Sequence, residues 1–214
     1  MSEMKMLDMN SYPRAEHFRY FSAMKYPYVG ATVKVDITGF LEKVRAQELP
    51  FFLSFLYLAA SAANSVPEFR RRIMDGGIAE YESCPTSHTV ALPDGTYCYC
   101  ILKYDLPFPD FIPYAQKAQE EAKAAASIDD GAEPLPLIFI STVPWLDYES
   151  IVQPVPDPPD SNPRITWGKY TEENGRAVMP VTVLCNHALV DGAQIGAFFA
   201  ELSRLLESFP NINV

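Results

Sequence analysis

One histidine, His187, lies where the sequence could hold a general base. A β-prone run over residues 181–184 precedes it, and Asp191 and Gly192 follow just before an amphipathic segment opens. A strand would fix the position of the imidazole, and the turn after it supplies a carboxylate and a flexible backbone. Because imidazole titrates near neutrality, it can take a proton from a hydroxyl or a thiol. The pattern therefore predicts general-base chemistry at His187.

The spacing by itself leaves a second interpretation open. His-x-x-x-Asp-Gly fixes three residue types over six positions, a pattern that recurs by chance and also fits a structural turn. Asp191 could orient the imidazole, or it could pair with an arginine and lock the loop. The neighbourhood of His187 contains neither a Gly-x-Ser-x-Gly elbow nor a zinc pattern that would indicate another chemistry. Of the other histidines, His17 is expected to be a packing or surface residue and His88 a structural one.

Length and composition limit the class of protein. The chain has 214 residues, 48% hydrophobic and 21% charged, and we predict a single globular domain over residues 1–214. The net charge of −10 argues against nucleic-acid binding, because no basic face is available to neutralise phosphates. No stretch approaches 18 consecutive apolar residues, and the first ten residues carry charges where a signal peptide would be apolar. We therefore expect neither a membrane partner nor export.

The four cysteines indicate a reduced compartment and no metal site. Cys84, Cys98, Cys100 and Cys185 lack the spacing of metal ligands. Cys98 and Cys100 are two residues apart, so in a strand they would share one buried face. A cytoplasmic protein without a bound metal is the expectation.

Strand and helix patterns alternate without the strict repeat of a parallel α/β fold, so we expect an α+β fold with a mixed β-sheet and flanking helices. Strands are predicted near residues 28–38, 78–103, 137–141, 165–170 and 177–184. Helices are predicted within or near residues 11–25, 40–47, 51–66, 111–126 and 193–208. Asn174-Gly175 is typical of a hairpin turn. The proline-rich segment 151–163 is expected to form an extended surface loop, and Arg70, Arg71 and Arg72 a solvated helix end rather than an anion site.

Several segments together resemble the chloramphenicol acetyltransferase family of CoA-dependent acyltransferases. Residues 186–192 are similar to the family's His-His-x-x-x-Asp-Gly signature, and residues 13–18 to its Arg-Arg-Glu-His-Phe segment near the start. Residues 62–70 resemble a helix end of the family, and residues 140–145 and 163–170 resemble two further blocks. The order and spacing of these segments fit over nearly the whole chain.

The resemblance implies a role for each matching residue. His187 would be the base that takes the proton from a primary hydroxyl as its oxygen attacks the thioester of acetyl-CoA. Ser141 would donate to the tetrahedral oxyanion, a contribution of about 2.7–4 kcal/mol for one such donor. Thr166 would hold an ordered water near the same intermediate. Asp191 and Arg14 would form an ion pair that fixes the loop of the histidine.

The resemblance also implies how the substrates and subunits are arranged. Lys169 and Tyr170 would line the channel of the co-substrate acetyl-CoA, where a cation and an aromatic ring suit phosphates and adenine. The family is trimeric, so His187 would face Ser141 and Thr166 of a neighbouring subunit. The acceptor would be chloramphenicol or a similar small molecule with a hydroxyl group.

Two departures from the family pattern concern the residue before His187 and the size of the acceptor pocket. The first histidine of the signature is Asn186 here, which leaves the base in place and changes how the strand end is held. Tyr99 and Phe139 are bulkier than the residues usual at their positions, so the pocket would be narrower or take another acceptor. The residues expected in the pocket wall are Tyr20, Phe21, Tyr97, Tyr99 and Phe139.

Two alternative functions remain at this point. The first is a lipoyl-dependent acyltransferase core, in which Asp-Gly-Ala followed by a helix also occurs; the absence of a lipoyl domain and the blocks at Arg14 and Trp145 argue against it. The second is a non-catalytic relative that binds a small aromatic ligand. A pure binder would need neither His187 nor Ser141.

Overall fold

The computed structural model describes residues 3–128 and 133–209, as two sheets with helices packed against the larger one. The strands are β1 (Met4–Met6), β2 (Tyr28–Asp36), β3 (Arg71–Met74), β4 (Gly77–Tyr81), β5 (Thr86–Ala91), β6 (Tyr97–Leu102), β7 (Ile138–Val143), β8 (Arg164–Gly168), β9 (Thr171–Glu173) and β10 (Arg176–Asn186). The helices are α1 (Ala15–Ser22), α2 (Thr38–Ala46), α3 (Phe51–Ser65), α4 (Phe108–Ala125) and α5 (Gly192–Glu207), with a 3₁₀ helix over Pro67–Arg70.

The larger sheet is mixed, which confirms the predicted α+β class. Its strands follow the order β2-β10-β8-β7-β5-β6, and β9 pairs with the start of β10. The pairs β5–β7 and β7–β8 are parallel, whereas β10 runs antiparallel to β2, β8 and β9. The smaller sheet has the order β1-β4-β3.

Helices pack against one face of the larger sheet, and we call the opposite one the open face. The Trp167 ring on β8 packs against Phe52 and Phe55 of α3, with ring centroids 5.5 and 4.9 Å apart. Because side chains alternate along a strand, Thr166 must point to the open face. Its in-register neighbours Ser141 on β7 and Thr182 on β10 point the same way. The sheet thus presents a row of hydroxyl side chains on its open face.

The predicted elements exist, and their boundaries shift by a few residues. α4 begins at Phe108, three residues before the predicted start, and carries Pro113 inside it. β8 ends at Gly168, so Lys169 and Tyr170 lie beyond the strand and not within it. The Asn174-Gly175 hairpin is confirmed: β9 and β10 pair across it, and both turn residues have positive φ, 53° and 77°. The sequence also predicts a polar, proline-containing loop over residues 127–136, part of which lies outside the described residues.

The interpretation of Arg70, Arg71 and Arg72 as a solvated helix end is wrong. Arg72 belongs to β3 and is fully buried, and its guanidinium donates to the carbonyls of Leu135 (2.7 Å), Leu137 (2.9 Å) and Phe69 (2.8 Å). Arg71 pairs with Glu68 and Glu80, while Arg70 donates to Tyr81 O. The three arginines are adjacent in the sequence, so their positions did not reveal that their environments differ. The carbonyls of Leu135 and Leu137 that bind Arg72 come from a segment more than 60 residues away.

Among the described residues, no helix has both the length and the apolar character needed to cross a membrane.

We expect Arg72→Met to lower the free energy of unfolding by about 3 kcal/mol or more, because the buried carbonyls that Arg72 serves would lose their donors. Chemical denaturation measures the loss. Arg176→Met is the matched control: that side chain is 72% exposed and 3.8 Å from Asp36, so its loss should stay below about 0.5 kcal/mol. Equal losses in the two variants would contradict the clamping role of Arg72.

Candidate functional site

Ser141 and Thr166 line a cavity of about 660 Å³ on the open face of the larger sheet. Three of the predicted pocket aromatics, Tyr97, Tyr99 and Phe139, line the same cavity. Ser141 and Thr166 are directly paired across β7 and β8, which explains why their side chains share it. The remaining walls come mainly from residues 151–154 and from the β5–β6 hairpin.

The segment after β7 crosses the open face because Gly168 has no side chain. A Cβ atom at Gly168 would lie 2.5 Å from Leu146 O and 2.8 Å from the Tyr148 ring. Tyr148 OH donates to Thr166 O (3.0 Å), and Lys169 N donates to Leu146 O (2.7 Å). The close approach and these bonds hold the segment over β8 and beside Thr166.

His187 lies just past the end of β10, with its imidazole oriented by the backbone. Its Nδ1 lies 2.9 Å from Val190 O, and its backbone N donates to Pro27 O (2.6 Å). A carbonyl oxygen only accepts, so Nδ1 carries the ring proton and Nε2 is the basic nitrogen. Phe21 stacks on the ring with centroids 3.8 Å apart. The site therefore presents the tautomer that a general base needs.

Asp191 belongs to the network of Arg14 and does not orient the imidazole. Asp191 Oδ2 lies 3.1 Å from Arg14 Nη2, and Asp191 Oδ1 accepts from Ala193 N (3.0 Å) as the N-cap of α5. Gln194 Oε1 accepts from both Arg14 Nη1 (3.1 Å) and Asp191 N (3.0 Å). Arg14 Nη1 also lies 3.3 Å from Leu189 O. These contacts join the start of α1 to the start of α5 and thereby fix the histidine loop, residues 187–191.

Asn186 connects the histidine loop to the cavity wall. Its Nδ2 donates to Asp160 O (2.8 Å), and its Oδ1 accepts from Ala188 N (3.0 Å). Both Arg164 Nη atoms donate to the Asp160 carboxylate at 2.7 and 2.8 Å, and Arg164 lines the cavity. Burial and the Asp160 carboxylate raise the pKa of Tyr28, which donates to Asp160, to about 12. Sequence reasoning missed Asp160 and Arg164, because their roles depend on the proline-rich loop 151–163 returning to the sheet beside Asn186.

The predicted site residues thus form two groups within one chain. Ser141 and Thr166 lie in the cavity with the three aromatics, whereas His187 does not line it. His187 is grouped with Phe21, Arg14 and Asp191, and Tyr20 lies beside Phe21 with its side chain 65% exposed.

The residues predicted to contact CoA lie outside the cavity. Lys169 is exposed, and Tyr170 OH accepts from Arg45 Nη2 (3.0 Å) while its ring lies near Phe51. No group of three or more His, Cys, Asp or Glu side chains in residues 3–128 and 133–209 could hold a metal ion.

The other two histidines have different surroundings. His17 is exposed on α1. His88 is buried on β5, where Gln119 Nε2 donates to its Nε2 (3.0 Å) and the Phe52 ring packs with centroids 5.1 Å apart. Burial lowers the pKa of His88 from 6.5 to about 4, so its ring is neutral in the folded protein.

Comparisons with known proteins agree over nearly the whole chain. A family model described as chloramphenicol acetyltransferase matches residues 2–203. A chloramphenicol acetyltransferase of Escherichia coli is 27% identical over 207 residues, which cover 95% of this chain and 94% of that relative. A solved chloramphenicol acetyltransferase structure has a TM-score of 0.81 at 25% identity and covers 95% of this chain and 100% of its own. A dihydrolipoamide acetyltransferase of Azotobacter vinelandii has a TM-score of 0.69 at 19% identity, covering 91% and 86% of the two chains, a likeness of fold alone.

The neutral state of buried His88 makes stability depend on pH. As pH falls from 6.5 to about 4, the unfolded chain binds a proton that the folded chain does not, so the folded state loses stability across this window. We expect a loss of roughly 3 kcal/mol relative to His88→Gln, which stays neutral. Denaturation of both proteins at pH 7.5 and pH 4 measures the difference and cancels the contribution of carboxylates. The same pH response in both proteins would contradict the assignment.

Proposed function

Because the chain belongs to the chloramphenicol acetyltransferase family, we propose that it transfers the acetyl group of acetyl-CoA to the primary hydroxyl of chloramphenicol or a similar small acceptor. The chain has the fold of CoA-dependent acyltransferases and is an enzyme of this class. The observation that carries the proposal is the His187 tautomer: Nδ1 is bound to Val190 O, which leaves Nε2 to accept a proton.

The reaction needs one base and one oxyanion donor. Nε2 of His187 takes the hydroxyl proton as the acceptor oxygen attacks the thioester carbonyl. Ser141 donates its hydroxyl hydrogen to the tetrahedral oxyanion, and Thr166 holds an ordered water near the same intermediate. Collapse of the intermediate breaks the carbon–sulfur bond, and the protonated imidazole returns its proton to the CoA thiolate. The Arg14–Asp191 pair and the Phe21 stack hold the imidazole during both transfers.

The separation of the two groups of site residues supports a site shared between subunits. His187 does not line the cavity that holds Ser141 and Thr166 in its own chain. We propose a homotrimer in which the histidine loop of one subunit closes the cavity of the next, with Tyr20 and Phe21 completing the acceptor wall. Tyr20 is largely exposed, and so is Trp145 at the cavity rim, which suits contact across an interface.

The CoA contacts belong to the same proposal. Lys169 and Tyr170 follow the last residue of β8, Gly168, so only two residues separate Lys169 from Thr166 in the sequence. An exposed ammonium group suits the phosphates of CoA, and an aromatic ring suits adenine. Four free, buried cysteines support a reduced compartment such as the cytoplasm.

The two alternative functions are less well supported. The family model that spans residues 2–203 is that of chloramphenicol acetyltransferase, whereas the likeness to dihydrolipoamide acetyltransferase concerns the fold. A non-catalytic binder would not require the backbone to leave Nε2 of His187 basic.

The first test of the function is release of CoA thiol when purified protein is incubated with acetyl-CoA and chloramphenicol. We expect His187→Ala to lower kcat by about 10³-fold or more, since the hydroxyl loses its base. Ser141→Ala should lower kcat by about 10²–10³-fold, because one oxyanion donor is lost. Release by the unaltered protein no faster than by His187→Ala would sink the antibiotic assignment. Release with another alcohol or thiol would keep the chemistry and change the acceptor.

The shared site predicts that two inactive variants restore each other. His187→Ala and Ser141→Ala subunits are unfolded together and refolded as a mixture. Random assembly gives about a quarter of the sites one intact histidine and one intact serine, so activity should return to about a quarter of the unaltered level. Each variant refolded alone is the control. Activity no higher than that of Ser141→Ala alone, in trimers shown to be mixed, would place both residues in one subunit's site.

A further inference from the structure

We propose that Gln153 selects the acceptor by accepting a hydrogen bond from a hydroxyl or N–H group that the acceptor carries beside the hydroxyl to be acetylated. The inference rests on the proposed function and adds a chemical requirement for the acceptor. It follows from the bonding of one side-chain amide in the cavity wall.

One end of the Gln153 amide is already bound. Gln153 lies in the segment that crosses the open face and lines the cavity together with Ser141 and Thr166. Its Nε2 donates to Thr166 Oγ1. Thr166 is itself buried at 2% exposure on a central strand, so the amide is anchored to a rigid position.

The other end of the amide has no partner. Gln153 Oε1 is buried and accepts no hydrogen bond from the residues that the structure describes. A buried carbonyl oxygen without a donor is unfavourable, and a ligand that brings a donor removes the penalty. A single carbon separates the two ends of the amide, so Oε1 lies next to Thr166 and therefore near the reacting centre.

Within the described part of the chain, no group donates to Oε1. Ile151, Val152 and Pro154 from the same segment bring apolar side chains to the cavity. The Arg164 guanidinium also lines the cavity, but it is held by both oxygens of Asp160 and by Asn162 O. A bound molecule that brings a donor into the cavity can supply the hydrogen bond that Oε1 lacks.

The chemistry of the acceptor follows from these contacts. A molecule with one isolated hydroxyl would react and leave Oε1 unpaired, whereas a diol or an acylated amino alcohol would satisfy it. A site built around a hydrogen bond rejects analogues that lack the donor more strongly than an apolar wall does. Chloramphenicol carries both a second hydroxyl and an amide N–H beside its primary hydroxyl, so it belongs to the favoured class.

The test compares chloramphenicol with its 1-deoxy analogue, which lacks the second hydroxyl, and with its N-methyl analogue, which lacks the N–H. For each protein, kcat/KM is measured for each compound, and the dissociation constant is measured by calorimetry. Each analogue's values are then expressed as ratios to those of chloramphenicol. In the unaltered protein, at least one analogue should be about tenfold or more worse by both ratios. In Gln153→Leu that ratio should fall to near one, because no acceptor oxygen remains. Any purely steric effect of N-methylation is common to both proteins and cancels.

Two further variants separate the oxygen from the segment. Gln153→Glu keeps an acceptor oxygen and should keep most of the discrimination. Glu149→Leu removes an exposed polar residue from the same segment outside the cavity and should leave the ratios unchanged. Loss of discrimination in both Gln153 variants, or in Glu149→Leu, would overturn the proposal.

Calorimetry keeps this inference distinct from the proposed function. Acetyl transfer with ratios that do not change in Gln153→Leu would overturn the role of Gln153 and leave the function standing. Discrimination in binding without acetyl transfer would refute the function and support the role of Gln153. If none of the three compounds binds or reacts, chloramphenicol is not the acceptor and the role of Gln153 in selecting it is wrong, whereas acetyl transfer to another alcohol would leave the chemistry of the proposed function standing.

Discussion

The structure of the site depends on the in-register pairing of β7, β8 and β10. The Trp167 side chain is buried under α3, so alternation along β8 turns Thr166 to the opposite face. The pairing of Ser141 with Thr166 then places two hydroxyls side by side. A shift of one residue in β8 would turn the Thr166 hydroxyl toward α3 and the Trp167 indole toward the cavity, so core packing and the polar row on the open face require the same register.

Irregular segments on this frame are held by buried donors that bind backbone carbonyls. Arg72 and Asn162 both donate to the carbonyl of Leu137, just before β7 begins. Asn186 does the same for Asp160 before β8. Each loop leading into a site strand is thereby fixed, because a carbonyl without a donor in the interior would be costly. The departure from the family signature at Asn186 has a physical use here: an amide both donates to Asp160 O and accepts from Ala188 N.

The same physical logic explains how the base is prepared. A backbone carbonyl, and not a carboxylate, binds Nδ1 of His187, which leaves Asp191 to cap α5 and to pair with Arg14. A neutral partner sets the tautomer without adding a charge directly against the ring. The geometry of the loop around residues 187–191, fixed by Arg14 and Gln194, therefore controls the orientation of the imidazole.

Much of the fold and part of the site could be predicted from the sequence. Periodicity located the helices and strands, since apolar spacing directly reflects which face is buried. The hairpin at Asn174-Gly175 was predictable because its residues suit positive φ. The resemblance to a family indicated His187, Ser141, Thr166 and the ion pair of Arg14 with Asp191, of which the pairing itself is present in the structure.

What local sequence determined about this protein is the set of elements, the mixed α+β class and the residues able to do chemistry. Tertiary structure alone decided which of those residues meet. Arg72 is the same residue type as its half-buried neighbours Arg70 and Arg71, and Gln153 lies in a proline-rich loop without any motif. Their surroundings come from segments distant along the chain, Leu135 and Leu137 for the arginine and the cavity wall at Thr166 for the glutamine. Burial and hydrogen-bond partners at such positions arise from contacts between strands and loops, and spacing along the chain does not encode them.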